Sequence, residues 1–136
     1  MTARIRILTV IYLAILAAII AAADWRGTSR LLGFVGAIPY GDKIGHFVLF
    51  GIFALLVNLS LGMRAAAAGK FRCLIGSLIV LIVITLEEAT QIFLVGRTFS
   101  VTDLLCGYAG VFVFGELARI VERRFFEREV SGEKFR

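Results

Sequence analysis

Eight residues of this chain could do chemistry, and they fall in three short clusters: Asp42, Lys43 and His46; Glu87, Glu88, Gln91 and Arg97; and Asp103. A carboxylate beside an imidazole can exchange protons with a bound molecule. An arginine or lysine beside carboxylates can instead clamp a phosphate or a substrate carboxylate through charge-assisted hydrogen bonds. The residue types do not choose between these chemistries, and whether the chain is an enzyme stays open. Glu87 and Gln91, four apart, share a helical face, and so do Lys43, His46 and Phe50, with Asp42 one turn above His46. Asp42, His46, Glu87, Glu88 and Asp103 are the catalytic candidates, and Lys43, Gln91 and Arg97 the ligand-binding ones. A chain with one histidine cannot build a multi-histidine metal site. No metal site is predicted, and a carboxylate-rich site for a hard cation is the form left open. The chain has no G-x-S-x-G, P-loop or H-E-x-x-H sequence, and no cofactor is expected.

The elements that must position these groups are four apolar runs: Ile7 to Ala23, Ile44 to Leu61, Phe71 to Leu86 and Leu104 to Val121. At about 1.5 Å per helical residue, each covers most or all of a hydrocarbon core of roughly 30 Å. Of the 136 residues, 60% are apolar, and the mean hydropathy of +0.92 is too high for an ordinary soluble domain. Backbone groups find no water in a bilayer, so the spans must be helices. The fold class predicted is an all-α integral membrane protein, a single four-helix transmembrane domain with spans near 7–23, 44–61, 71–94 and 103–121. Ionisable groups at membrane depth cost about 2.5–3.5 kcal/mol each on insertion scales, which is why the polar clusters point to function. The alternative is a purely structural ion pair joining an acid to Arg97, Lys43 or His46.

The net charge of +5 does not signal nucleic-acid binding, because the basic residues sort by loop. Arg4, Arg6, Arg64, Lys70, Arg72, Arg119, Arg123, Arg124, Arg128, Lys134 and Arg136 fall on one side, eleven in all, against Arg26, Arg30, Lys43 and Arg97, four, on the other. The positive-inside bias then places both termini in the cytoplasm of a multi-pass cytoplasmic membrane protein, with the polar cluster facing out. A second reading takes Arg4 and Arg6 as the start of a signal peptide cleaved near Ala21-Ala22-Ala23, leaving three spans. Cys73 and Cys106 lie near opposite membrane faces, too far apart for a disulfide, and are expected to be free thiols serving as small apolar fillers.

Between the first two spans, Leu31 to Ile38 is apolar but too short to cross, and would lie on the interface or dip back over the polar cluster. Trp25 follows the first span at interface depth. Pro39-Tyr40-Gly41 signals a turn, which puts Asp42 at a helix N-cap. Asp103 is either an N-cap or a member of the cluster. Cys106 and Gly110 form a small-xxx-small pair, and Gly107 and Gly115 add thin spots where another helix can approach. Residues 122–136 read as a basic cytoplasmic tail. Leu117, Ile120, Val121 and Phe125, leading into it, repeat at helical spacing, as in a helix resting on an anionic surface; the alternative is a solvated tail.

Asp42-Lys43-x-x-His46-Phe47 opening a helix, then Glu87-Glu88-x-x-Gln91-x-Phe93 and Arg97, then Asp103 followed by Gly110, resembles the VanZ-like family of small bacterial membrane proteins. The resemblance covers about Pro39 to Gly115, three of the four spans. It implies a site built from the eight residues above and an association with tolerance of the glycopeptide antibiotic teicoplanin, but supplies no reaction. The family often carries an Asn one turn after the Asp, where this chain has Gly107; Tyr108 or a water would replace its hydrogen bond. The partners expected are the lipid bilayer and an amphiphilic ligand at the outer leaflet, either a lipid-linked wall precursor or a glycopeptide. Two alternatives stand beside this: an accessory subunit whose polar cluster locks helices together, and a proton- or ion-coupled transport element, for which four helices call for a homo-oligomer.

Overall fold

The computed structural model describes residues 2–24, 39–68, 71–94 and 98–133. Helix α1 spans Thr2–Asp24, α2 Gly41–Ser60, α3 Ile75–Thr90 with a 3-10 turn over Gln91–Phe93, and α4 Val101–Glu133. A two-stranded antiparallel hairpin, β1 (Ala65–Ala68) and β2 (Phe71–Leu74), lies between α2 and α3. All four helices are long and apolar enough to cross a membrane. The chain is a multi-pass, all-α membrane protein.

Side-chain pairings fix the helix directions. Near its start, α2 meets the end of α3 through His46 and Glu88 and the start of α4 through Lys43 and Asp103. Near its end, it meets the start of α3 through Asn58 and Ser77. Thr9 and Tyr12 of α1 donate to the carbonyls of Leu56 and Leu49, at 3.2 and 2.9 Å. Thus α2 and α4 run parallel, with α1 and α3 antiparallel to them, as four successive crossings require. One end, the site end, holds the polar clusters. The other holds Arg4, Arg6, Arg64, Arg72, Arg119, Arg123 and Arg124, while Lys43 is the sole Lys or Arg among the described residues at the site end.

The core is the α2 face bearing Phe50, Phe53, Ala54 and Val57, packed on Val80 and Ile84 of α3, Val111 of α4 and Leu16 of α1. Helix α4 approaches α2 most closely. A Cβ on Gly110 would collide with the Phe47 carbonyl, and one on Gly51 would enter the Phe114 ring. The small residues read from the sequence as thin spots do admit neighbouring helices: Gly107 packs under Ile84 and Phe50, and Gly115 against Ser77. Lipid offers no hydrophobic drive for helix association, so such close contact is what holds these helices together. The outward faces, including Ile7, Ile11, Ile82, Leu86 and Phe112, stay exposed, as lipid-facing surfaces do.

Several boundaries differ from expectation. The third helix starts at Ile75, not Phe71, because Phe71–Leu74 pairs with Ala65–Ala68 in the register Ala65↔Leu74. Upstream, Met63 N–H donates to Asn58 O at 2.9 Å and Gly62 N–H to Leu59 O at 3.1 Å, with Gly62 at φ 63°. This is a Schellman closure, which turns the chain sharply out of α2 into β1. Cys73 consequently sits exposed on β2 and is no apolar filler, whereas Cys106 is half-buried; both thiols are free. Residues 122–133 continue α4 without a break. At about 1.5 Å per residue, its 33 residues reach about 50 Å, well past a 30 Å core. Trp25, the segment Leu31 to Ile38, Arg97 and residues 134–136 lie outside the described residues, and so do the expectations placed on them.

Candidate functional site

At the site end, α2 opens on an unusual cap. Tyr40, not Asp42, is the residue before the helix, held at φ 62° with no side-chain capping bond. Such a left-handed turn is uncommon for a non-glycine residue, and it moves Asp42 into the first helical turn. The Asp42 side chain is exposed, and its contribution is its backbone carbonyl, which lies 2.9 Å from His46 Nδ1. A carbonyl can only accept, so Nδ1 carries the hydrogen and Nε2 is the atom turned inward. The His46 ring also leans on Phe50, with centroids 5.6 Å apart.

His46 Nε2 faces two carboxylates from α3, with Glu88 Oε2 at 3.6 Å and Glu87 Oε2 at 3.9 Å. Gln91, one turn on, donates through Nε2 to Glu87 Oε1 at 2.8 Å and to Glu88 Oε2 at 3.3 Å. The expectation that Glu87 and Gln91 share a face therefore holds, and Glu88 reaches the same point from the adjacent position. Glu88 is the deepest of the group at 0% exposure. A carboxylate so buried needs donors around it, and the backbone N–H of Ser100 supplies one at 2.6 Å to Oε1.

Ser100 was not singled out in the sequence. Its hydroxyl accepts from the Asp103 N–H at 3.3 Å, and its carbonyl accepts from Leu104 N–H at 3.1 Å, which makes it the N-cap of α4. The signal was present as Ser100-x-x-Asp103 ahead of an apolar run. Asp103 is therefore a member of the polar group, not the cap. Its Oδ1 accepts from Lys43 Nζ at 3.2 Å, closing a bridge between α2 and α4.

The eight predicted residues sort as follows. His46, Glu87, Glu88 and Gln91 converge in one group, and Lys43 and Asp103 form an adjoining pair. The Asp42 side chain stands outside, and Arg97 lies beyond the described residues. The Tyr108 hydroxyl lies 2.6 Å from Thr85 Oγ1, linking α4 to α3. Below the site, Phe50, Ile84, Val80, Val111 and Ala54 form a buried apolar layer. Beneath that layer, the buried Asn58 side chain donates to Ser77 Oγ at 2.9 Å and accepts from Ser77 N–H at 3.0 Å.

The arrangement thus offers one imidazole nitrogen, two carboxylates pinned by amide donors, and an ammonium–carboxylate pair, all at one end of a membrane bundle. No family model, curated protein or solved structure matches the chain.

Proposed function

We propose that this chain is a bacterial cell-envelope protein of the VanZ-like kind that binds or modifies an amphiphilic ligand at the outer leaflet of the cytoplasmic membrane. The observation that carries the reading is the convergence of His46, Glu87, Glu88 and Gln91, with Lys43 and Asp103 beside them, from three helices onto the end opposite the arginines among the described residues. The positive-inside bias puts that end outside. There, a ligand with an acyl chain and a polar head lays its chain along the lipid-facing helices and its head against the cluster. A lipid-linked wall precursor and a lipoglycopeptide both have this form. Lys43 and Arg97 would meet anionic head groups, and His46 with Glu87 would exchange protons if a reaction occurs.

The test is binding of teicoplanin and of a lipid-linked wall precursor to the purified full chain in lipid nanodiscs. The reading expects saturable binding of at least one of them, weakened about tenfold or more by Glu87→Gln with helical content unchanged. Equal binding by wild type and Glu87→Gln contradicts it.

A second reading, the helix-packing lock, is favoured by one observation: Glu88 is wholly buried and bonded to the backbone that starts α4. It predicts that Glu87→Gln lowers stability as much as function. Transport is supported least, because the apolar layer between Glu88 and Asn58 offers no polar step.

A further inference from the structure

We infer that His46, Glu87 and Glu88 form a binding site for one divalent transition-metal ion of the Zn²⁺ or Mn²⁺ type. A single histidine argues against a multi-histidine metal site, but the mixed group of one imidazole and two carboxylates does not depend on a second. One atom from each residue, imidazole Nε2 and a carboxylate oxygen from each glutamate, lies within 4.8 Å of the other two. The Nε2 separations of 3.6 and 3.9 Å exceed hydrogen-bond length. They suit two ligands of one ion: with metal–ligand bonds of about 2.0–2.2 Å, neighbouring donors stand about 3–4 Å apart.

The surroundings are those a metal site requires. Ligating histidines give their other N–H to a carbonyl or carboxylate, which fixes the tautomer, and ligating carboxylates are themselves hydrogen-bonded. Here Nδ1–H goes to the Asp42 carbonyl, Glu87 Oε1 accepts from Gln91, and Glu88 Oε1 accepts from Ser100. Glu88 Oε2 also accepts from Gln91 Nε2 at 3.3 Å, so one amide steadies both carboxylates. Three protein ligands leave a coordination position for water or a ligand oxygen. Two carboxylates balance the 2+ charge, and nitrogen with oxygen donors suits Zn²⁺ or Mn²⁺ better than soft Cu(I). In the envelope, the open position would take a phosphate or carboxylate oxygen of the amphiphile's head group. That last step rests on the ligand reading above; metal binding itself does not.

The test uses the full chain purified in detergent, stripped with a chelator, then dialysed against Zn²⁺ or Mn²⁺ and analysed for metal content and by calorimetric titration. The inference expects one ion per chain for wild type and for Asn58→Ala at the far end. It expects at least a tenfold loss of affinity in His46→Gln and Glu87→Gln, and a smaller loss in Gln91→Ala. X-ray absorption of the loaded wild type should show nitrogen and oxygen ligands without sulfur, a result independent of whether the variants fold. No stoichiometric binding by wild type, sulfur ligation through exposed Cys73, or undiminished binding in both folded variants overturns the inference; the first outcome would leave a protonated His46 paired with the glutamates by charge alone. Metal binding that passes while Glu87→Gln leaves ligand binding intact defeats the ligand reading and spares the metal site. Metal binding that fails while ligand binding depends on Glu87 does the reverse.

Discussion

The backbone N–H of Ser100 donates to Glu88 Oε1 at 2.6 Å, tying the end of α3 to the first turn of α4. Glu88 is the one acid of the site with 0% exposure, and Glu87 beside it is turned to the same histidine. Glu88 holds the end of α3 to the start of α4, while Glu87 accepts from Gln91 one turn further along α3.

Glu88→Ala strands the Ser100 N–H and empties a buried position. A buried donor left without its partner costs about 1–3 kcal/mol. Thermal unfolding of the purified chain should show a clear fall in Tm for Glu88→Ala, and a markedly smaller one for Glu87→Gln, which keeps the shape and an acceptor for Gln91. Equal losses would mean that both acids are structural.

Gly110 and Gly45 lie on partnered helices but in opposite surroundings. A Cβ at Gly110 meets the Phe47 carbonyl, whereas one at Gly45 meets nothing within 4 Å. Gly110→Ala forces α2 and α4 apart, an overpacking cost of about 1–3 kcal/mol. Gly45→Ala should be neutral or slightly stabilising, because alanine is the better helix former. Unfolding midpoints of the two variants, compared in the same detergent, check this.

Asn58 is 1% exposed and makes two bonds to Ser77. Side-chain bonds inside membrane bundles average about 0.6 kcal/mol and reach about 1.7. Asn58→Ala should therefore lower stability by about 1–2 kcal/mol while leaving ligand and metal binding at the other end unchanged. A loss of binding at constant stability would show that the two ends communicate.

The fold was largely legible in the residues, the exact edges less so. Four uninterrupted apolar runs and the loop-by-loop sorting of arginines were enough for four helices in alternating direction. Gly110 marked a place where another helix could approach, without naming α2 as that helix, and the i, i+4 spacing of Glu87 and Gln91 announced their shared face. What escaped was set by contacts that local pattern does not carry. Phe71–Leu74 reads as the start of an apolar helix, but the Schellman turn at Gly62 returns the chain so that this segment pairs with Ala65–Ala68. Asp42 has the chemistry of a cap, yet Tyr40 takes the position by adopting a left-handed backbone. The role of Ser100 depends on its N–H reaching an acid twelve residues earlier, a relationship visible only after folding.

Orientation is open to direct chemistry. Cys73 is exposed on the hairpin at the arginine-rich end, and Cys106 is half-buried within α4. If both termini are cytoplasmic, as proposed, a membrane-impermeant maleimide should label Cys73 only after the cells are permeabilised. Labelling of Cys73 in intact cells would invert the bundle and place the polar cluster inside.

The most direct measurement is the susceptibility of a deletion strain to teicoplanin and other wall-active drugs, complemented with wild type, Glu87→Gln or Asp103→Asn at matched membrane levels. The account predicts that wild type restores tolerance and that neither variant does, although both remain folded in the membrane. Full restoration by both variants would contradict the claim that the cluster is a working ligand site.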